Sequence, residues 1–387
     1  MNNTEAPTLP PLSLYIHIPW CAKKCLYCDF ISCEFSSDDD LRSQYIDALI
    51  QDLQSEIFRT GNRQIQSIFL GGGTPSLLAP EHIERLFCGI DSICNLSDNC
   101  EISIEINPGT IDENKLRAYK TFGINRVSVG IQTFSDTALK TLGRIHSIKD
   151  SRNAIAMLNR HGLDNYNIDI MFGLPEQSLV AASTDLREAI SLAPKHISYY
   201  QLTLEEDTPL YNHHPQMPHD AVLAEMFNSG RNQLAENGYN HYEISAYATC
   251  ESACLHNLNY WQFGDYIGIG AAAHGKISQI KNGKLIITRT TKTSSIRRYM
   301  QQDAAYSEVN TIPDSALPLE FLLNSSRLIN GWERHLFAKY TGIAFSKIEP
   351  SLLKLQKSGY INITDSHIIP TEKGIVFLDS MLGEFDS

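Results

Sequence analysis

Over its first 240 residues the chain alternates between two hydrophobic periods. Leu12 to Ile18 alternates like a strand, and from Asp38 to Phe58 apolar positions (Leu41, Tyr45, Ile46, Leu49, Leu53, Ile57) recur at helical spacing. The same pairing returns five times. Ser67–Leu70 precedes Pro80–Cys94, Glu101–Ile106 precedes Asp112–Phe122, and Arg126–Gly130 precedes Asp136–Leu142 and Asp150–His161. Asn167–Phe172 then precedes Val180–Leu192, and His196–Thr203 precedes Ala221–Asn237. Six strand–helix units predict an α/β fold with a parallel sheet covered by helices, doubly wound or closed as a barrel. Such regular helices favour the barrel form, whose chemistry sits at the carboxyl ends of the strands.

The rhythm breaks after Tyr239. Tyr239–Tyr247, Tyr266–Ile269 and Leu285–Thr290 read as antiparallel strands around a Gly/Ala-rich turn with Gly268, Gly270 and Gly275. From Pro313 the pattern is helical (Leu317–Leu328, Trp332–Tyr340, Ile348–Ser358), followed by GYINIT, HIIPTEKG and a last helix, a winged-helix-like arrangement. The expected division is residues 1–238 as barrel, 239–312 as a small added antiparallel sheet, and 313–387 as a C-terminal helical module.

Charge narrows the partners. Thirty-two Lys plus Arg against 44 Asp plus Glu give a net charge of −12, which repels phosphate backbones. The C-terminal module carries seven basic and nine acidic residues, so the wing presents no DNA-binding face and no nucleic-acid partner is expected. The N-terminal stretch MNNTEAPTLPPL lacks the basic and apolar regions of a signal peptide, no segment approaches the roughly 20 apolar residues of a membrane span, and the nine cysteines do not form a disulfide framework. The chain reads as cytoplasmic. The His213–His219 stretch, with two prolines, reads as a solvated connection.

The chemistry begins after the first strand, where YIHIPWCAKKCLYCDF places Cys21, Cys25 and Cys28 as C-x3-C-x2-C. Three thiolates on one loop suit either zinc, which needs a fourth ligand such as His17 or Cys33, or an iron–sulfur cluster with one iron left open to a ligand. Gly71-Gly72-Gly73-Thr74 follows the second strand and lets backbone approach a ligand closely. Glu105 ends the third strand, Gln132 follows the fourth, and Asp169 lies in the fifth, so polar groups converge on one mouth of a barrel.

Together these motifs, C-x3-C-x2-C with Tyr27, GGGTPS, EINPG, SVGIQTF followed by LGRIH, and DIMFGLP, resemble the radical S-adenosylmethionine (SAM) superfamily, from about Leu12 to Lys276. The resemblance implies a partial (β/α)6-type radical SAM barrel and an iron-containing 4Fe–4S cluster on Cys21, Cys25 and Cys28, whose open iron is chelated by SAM. It also implies SAM contacts from Tyr15, Tyr27, Gly72, Gly73, Thr74, Glu105, Gln132, Arg144 and Asp169. Within the superfamily the chain is similar to the porphyrin-related branch of oxygen-independent coproporphyrinogen oxidase and its heme-chaperone relatives. The oxidase has a further cysteine, C-x3-C-x2-C-x-C, where this chain has Phe30, and a longer N-terminal arm. The segment His256-Asn257-Leu258-Asn259-Tyr260-Trp261 matches the chaperones' HNxxYW motif, which implies heme held near His256 and expected as a lip over the cluster face. The implied function is a heme chaperone that delivers heme to acceptor proteins, respiratory ones among them, with peripheral membrane contact through those acceptors. The alternative is the oxidative decarboxylase, acting through a 5′-deoxyadenosyl radical, and a zinc-stabilised binding protein is the third reading. Cys250 and Cys254 flank His256 on the N-terminal side without forming the C-x-x-C-H of covalent heme attachment, and receive no role.

Overall fold

The computed structural model describes residues 8–34, 39–301 and 306–385; the leader through Pro7, and Asp38 at the expected start of the first helix, lie outside them. In chain order the barrel is built from β1 (Leu12–Ile18), a short ladder of β2 (Trp20–Cys21) and β3 (Cys33–Glu34), α1 (Asp39–Ile57), β4 (Ile65–Gly72), α2 (Pro80–Ile93), β5 (Leu96–Ile106) and α3 (Glu113–Thr121). It continues with β6 (Arg126–Gln132), α4 (Asp136–Thr141), α5 (Ile148–Arg160), β7 (Tyr166–Phe172), α6 (Leu179–Ser191), β8 (His196–Gln201), α7 (Pro209–Asn212) and α8 (Asp220–Glu236). Side-chain caps end the loops where sequence placed helix starts. Asp112 accepts the amides of Asn114 and Lys115, and Ser147 forms a capping box with Asp150.

The six strands β1, β4, β5, β6, β7 and β8 are neighbours in that order, all parallel. Their outward side chains, such as Leu14, Ile68, Ile104, Val127, Ile168 and Ile197, are buried under the helices in one core. Their inward side chains are polar in nearly every strand, and strand periodicity stacks them along a lumen: Ser13, Tyr15 and His17 in β1, Ser103 and Glu105 in β5, Ser128 and Gln132 in β6, Asn167 and Asp169 in β7, His196 and Ser198 in β8.

Beyond β8 the chain departs from the expected separate sheet. The strands β9 (Asn240–Glu243) and β10 (Ala246–Ala248) extend the β8 edge. After α9 (Leu255–Trp261), β11 (Asp265–Ile269) pairs parallel with β1, and β12 (His274–Lys281), β13 (Lys284–Lys292) and β14 (Tyr306–Thr311) follow antiparallel, completing a 12-stranded sheet. The segment 239–312 therefore continues the barrel sheet on both edges, and Tyr247, Ile267 and Ile277 belong to the barrel core. Gly268 and Gly275, read from sequence as turn residues, are strand residues at a tight crossing, where a Cβ on Gly268 would meet the His274 carbonyl oxygen at 1.9 Å. The C-terminal module packs its helices and the three-stranded sheet β15 (Trp332–Glu333), β17 (His367–Pro370) and β16 (Ile361–Ile363) around a second core centred on Phe321, Trp332 and Phe337. No helix among the described residues is long and apolar enough to cross a membrane.

Candidate functional site

The cysteine loop leaves β1 at its carboxyl end and is closed by the β2–β3 pairing of Trp20 with Cys33 and Cys21 with Glu34. Cys21, Cys25 and Cys28 are free and partly exposed. Burial pushes the Cys28 thiol up to about 11, and the charges of Cys25 and Cys21 add to the rise, so the sulfurs lie within electrostatic reach of one another. Among the described residues no three His, Cys, Asp or Glu side chains converge tightly enough to grip a single metal ion. Arg144 reaches this loop from beyond β6: its Nη1 donates to Cys25 Sγ (3.6 Å) and to the Tyr27 hydroxyl (3.4 Å), and its Nη2 donates to Asn107 Oδ1 and the Gly130 carbonyl.

Beside the loop, the glycine run is a place where only hydrogen fits. Gly72 has φ +103° and a Cβ there would lie 2.4 Å from the His17 ring, while a Cβ on Gly73 would lie 2.6 Å from the Trp20 carbonyl oxygen. The Gly72 amide donates to Glu105 Oε2 (3.2 Å), and the Gly73 and Thr74 amides donate to the Ile18 and Trp20 carbonyls. Thr74 Oγ1 accepts from Asn107 Nδ2 (2.8 Å), so the threonine steadies the partner of Arg144. Gln132, at φ +73°, accepts from the Tyr200 hydroxyl (2.8 Å).

Glu105 and Asp169 face each other across the lumen. Burial, then the Asp169 charge, push the Glu105 carboxyl up to about 8. Burial also raises Asp169, although Asn167, Ser198 and Ser128 hydrogen-bond to it. Two buried carboxylates short of cations suit a positively charged ligand. Tyr15, Gly72, Glu105 and Asp169 line one cavity of about 710 Å³, a size within the range of small-molecule and cofactor sites.

The structure corrects the expected position of His256. It lies on a helix at the amino ends of the strands, below the lumen, and does not form a lip over the cysteine loop. The ring is 1% exposed, stacks on Phe69 at 5.1 Å, and is held by the Ser67 hydroxyl at Nδ1 (3.0 Å) and the Tyr260 hydroxyl at Nε2 (3.1 Å). Burial pushes its pKa down to about 3, so the imidazole is neutral. Glu101 clasps the start of α9, accepting the amides of Leu255 (3.1 Å) and His256 (3.0 Å) and the Cys254 thiol (3.4 Å). His256, Tyr260 and Trp261 nevertheless line the same cavity as Glu105 and Asp169, entering it from the other end. Sequence reading missed Glu101, Arg126, Asn167 and His196 here. Their signal was strand alternation, which puts them on the face shared with Glu105 and Asp169.

Against known proteins, the Radical SAM superfamily model matches residues 15–185. The chain is 43% identical to the heme chaperone HemW of Haemophilus influenzae, over 98% of this chain and 99% of that protein. It is 42% identical to HemW of Escherichia coli, over 97% and 98%, and 32% identical to HemW of Bacillus subtilis, over 96% and 98%. Among solved structures, coproporphyrinogen III oxidase (HemN) from Escherichia coli superposes with a TM-score of 0.82 at 21% identity, covering 99% of this chain and 92% of that one, a likeness of fold.

Proposed function

The chain belongs to the radical SAM superfamily and, within it, to the HemW family, and from that premise we propose that it is a heme chaperone, which binds heme and passes it to acceptor proteins in the cytoplasm or at the membrane face. Membership of the superfamily implies a 4Fe–4S cluster and SAM. Cys21, Cys25 and Cys28 would hold the cluster, which when bound supplies an open iron for the amino and carboxylate groups of SAM. Tyr15, Gly72, Gly73 and Glu105, with Asp169 opposite, would hold and orient SAM above the lumen, while Tyr27, Thr74, Gln132 and Arg144 buttress the wall around it. Arg144 donates to Cys25 and keeps the loop against β6. The neutral carboxyl of Glu105 can give up its proton to solvent as a cationic ligand arrives.

The observation that carries the chaperone reading is the shared cavity, in which an imidazole and two aromatic side chains meet the SAM-type wall. His256 offers a neutral nitrogen suited to heme iron once its two hydroxyl partners yield. Phe30, exposed at the upper rim of the same cavity, stands where the decarboxylase has its additional cysteine. The test is an anaerobic optical titration of the cluster-bearing protein with heme, followed by transfer to an apo-acceptor. His256→Ala should alter the ferric heme spectrum and reduce retention with iron and sulfide content unchanged. Robust conversion of coproporphyrinogen to protoporphyrinogen, with a heme spectrum indifferent to His256, would overturn the reading in favour of the decarboxylase.

A further inference from the structure

The lower half of the lumen holds hydrogen-bond donors that the chain does not use. Arg126 opens β6, beside Ser103 of β5, and is 3% exposed. Its Nη1 donates to the Ser252 carbonyl (3.1 Å) and to Asn165 Oδ1 (3.4 Å), with Glu101 Oε2 at 3.8 Å. Its Nη2 is buried and finds no acceptor among the described residues. Trp261, at the end of α9, has its Nε1 in the same condition, although its ring is engaged by the Arg327 guanidinium 4.4 Å from the ring centroid. Both residues line the cavity, together with His196, Asn167 and Asp169.

An orphaned guanidinium N–H is a costly thing to bury, and native proteins leave few such groups without a partner or a use. Both orphans here are pure donors, so what satisfies them must be an acceptor, and for the guanidinium an anion is favoured. Glu101 does not fill that place. Its oxygens are committed to the amides of Leu255 and His256 and to the Cys254 thiol, and its approach to Arg126 is on the Nη1 side. The acidic pair Glu105 and Asp169 lies higher in the cavity, near the cysteine loop, whereas the far end holds the Arg126 guanidinium with Glu101 on its Nη1 side.

We propose that the far end of the lumen is a carboxylate subsite, in which Arg126 Nη2 and Trp261 Nε1 receive the propionates of the tetrapyrrole that His256 ligates. This rests on the heme reading above and adds to it the group that would fix the macrocycle's orientation. Glu101 links the two features, since the same carboxylate holds the His256 amide and stands beside the Arg126 guanidinium.

The test compares ferric heme with its dimethyl ester, which keeps iron and ring and removes both anionic charges, in anaerobic titrations of the full cluster-bearing chain. Wild type should bind the diacid about 10- to 100-fold more tightly than the diester, the range for a charge-assisted hydrogen bond to a buried partner. In Arg126→Gln that preference should collapse toward unity while diester affinity holds. Trp261→Phe, which keeps the ring and removes only the N–H, should narrow the preference by a few-fold and serves if Arg126→Gln melts early. Equal wild-type affinity for diacid and diester, or a preference unchanged in both variants, would overturn the subsite and leave the heme reading standing. Failure of wild type to bind either form would sink both.

Discussion

Glu101 offers the sharpest handle on how the HNLNYW helix is held. Glu101→Gln keeps size and one carbonyl oxygen but replaces the other acceptor with an NH2 that faces a backbone N–H. The native carboxylate accepts the amides of Leu255 at 3.1 Å and His256 at 3.0 Å, both from a nearly buried position. One of those bonds falls from charge-assisted to neutral strength, a loss of about 1 kcal/mol, and the other amide is left without an acceptor, a cost of about 1–3 kcal/mol. Together these give about 2–4 kcal/mol against the docked helix, which at about 1.4 kcal/mol per factor of ten raises its local opening about 30- to 1000-fold. Hydrogen exchange read by mass spectrometry on peptides covering 252–262 should accelerate accordingly, with peptides from α2 (Pro80–Ile93) as the internal control. If 252–262 exchanges at the wild-type rate, or if α2 accelerates equally, Glu101 does not clasp the helix and the reasoning fails.

Four further outcomes are expected. Replacing any one of Cys21, Cys25 and Cys28 with Ala should strip iron and acid-labile sulfide from anaerobically prepared protein and abolish its visible absorption; a full iron complement in the triple variant would refute the assignment. Because the Glu105 carboxyl stands at about 8 against an ordinary 4.5, the ligand-free fold should gain stability as pH falls from about 8 toward 4.5, and Glu105→Gln should flatten that slope in denaturant titrations. The same shift predicts release of close to one proton when SAM binds at pH 7, read as a buffer-dependent calorimetric enthalpy that vanishes in Glu105→Gln. Gly72→Ala should cost at least about 1–2 kcal/mol from its φ of +103° alone, and more from displacing His17, so both melting temperature and SAM affinity should drop; a wild-type melt would show that the loop relaxes freely.

The sequence by itself determined the six strand–helix units, because a period of two followed by one near 3.6 is a local property that neighbouring residues enforce on each other. It also determined the cysteine loop and the glycine run, whose chemistry lies in residue type and spacing. What it could not decide was which edge of the sheet later strands would join. β11 lies more than 240 residues from β1 yet pairs with it in parallel, and the tight crossing of Gly268 by the His274 carbonyl is invisible until both strands are in register. The position of His256 failed for the same reason. HNLNYW is short enough to be a turn, a lip or a helix, and only Glu101, 155 residues earlier, pins it beneath the lumen. The polar file inside the barrel lay between these cases. Asn167 and Asp169, or His196 and Ser198, alternate plainly in sequence, but alternation names a face without saying whether that face meets solvent or a lumen. The gathering of all six strands around one cavity decided it, turning scattered polar residues into one wall and leaving Arg126 buried with a donor to spare.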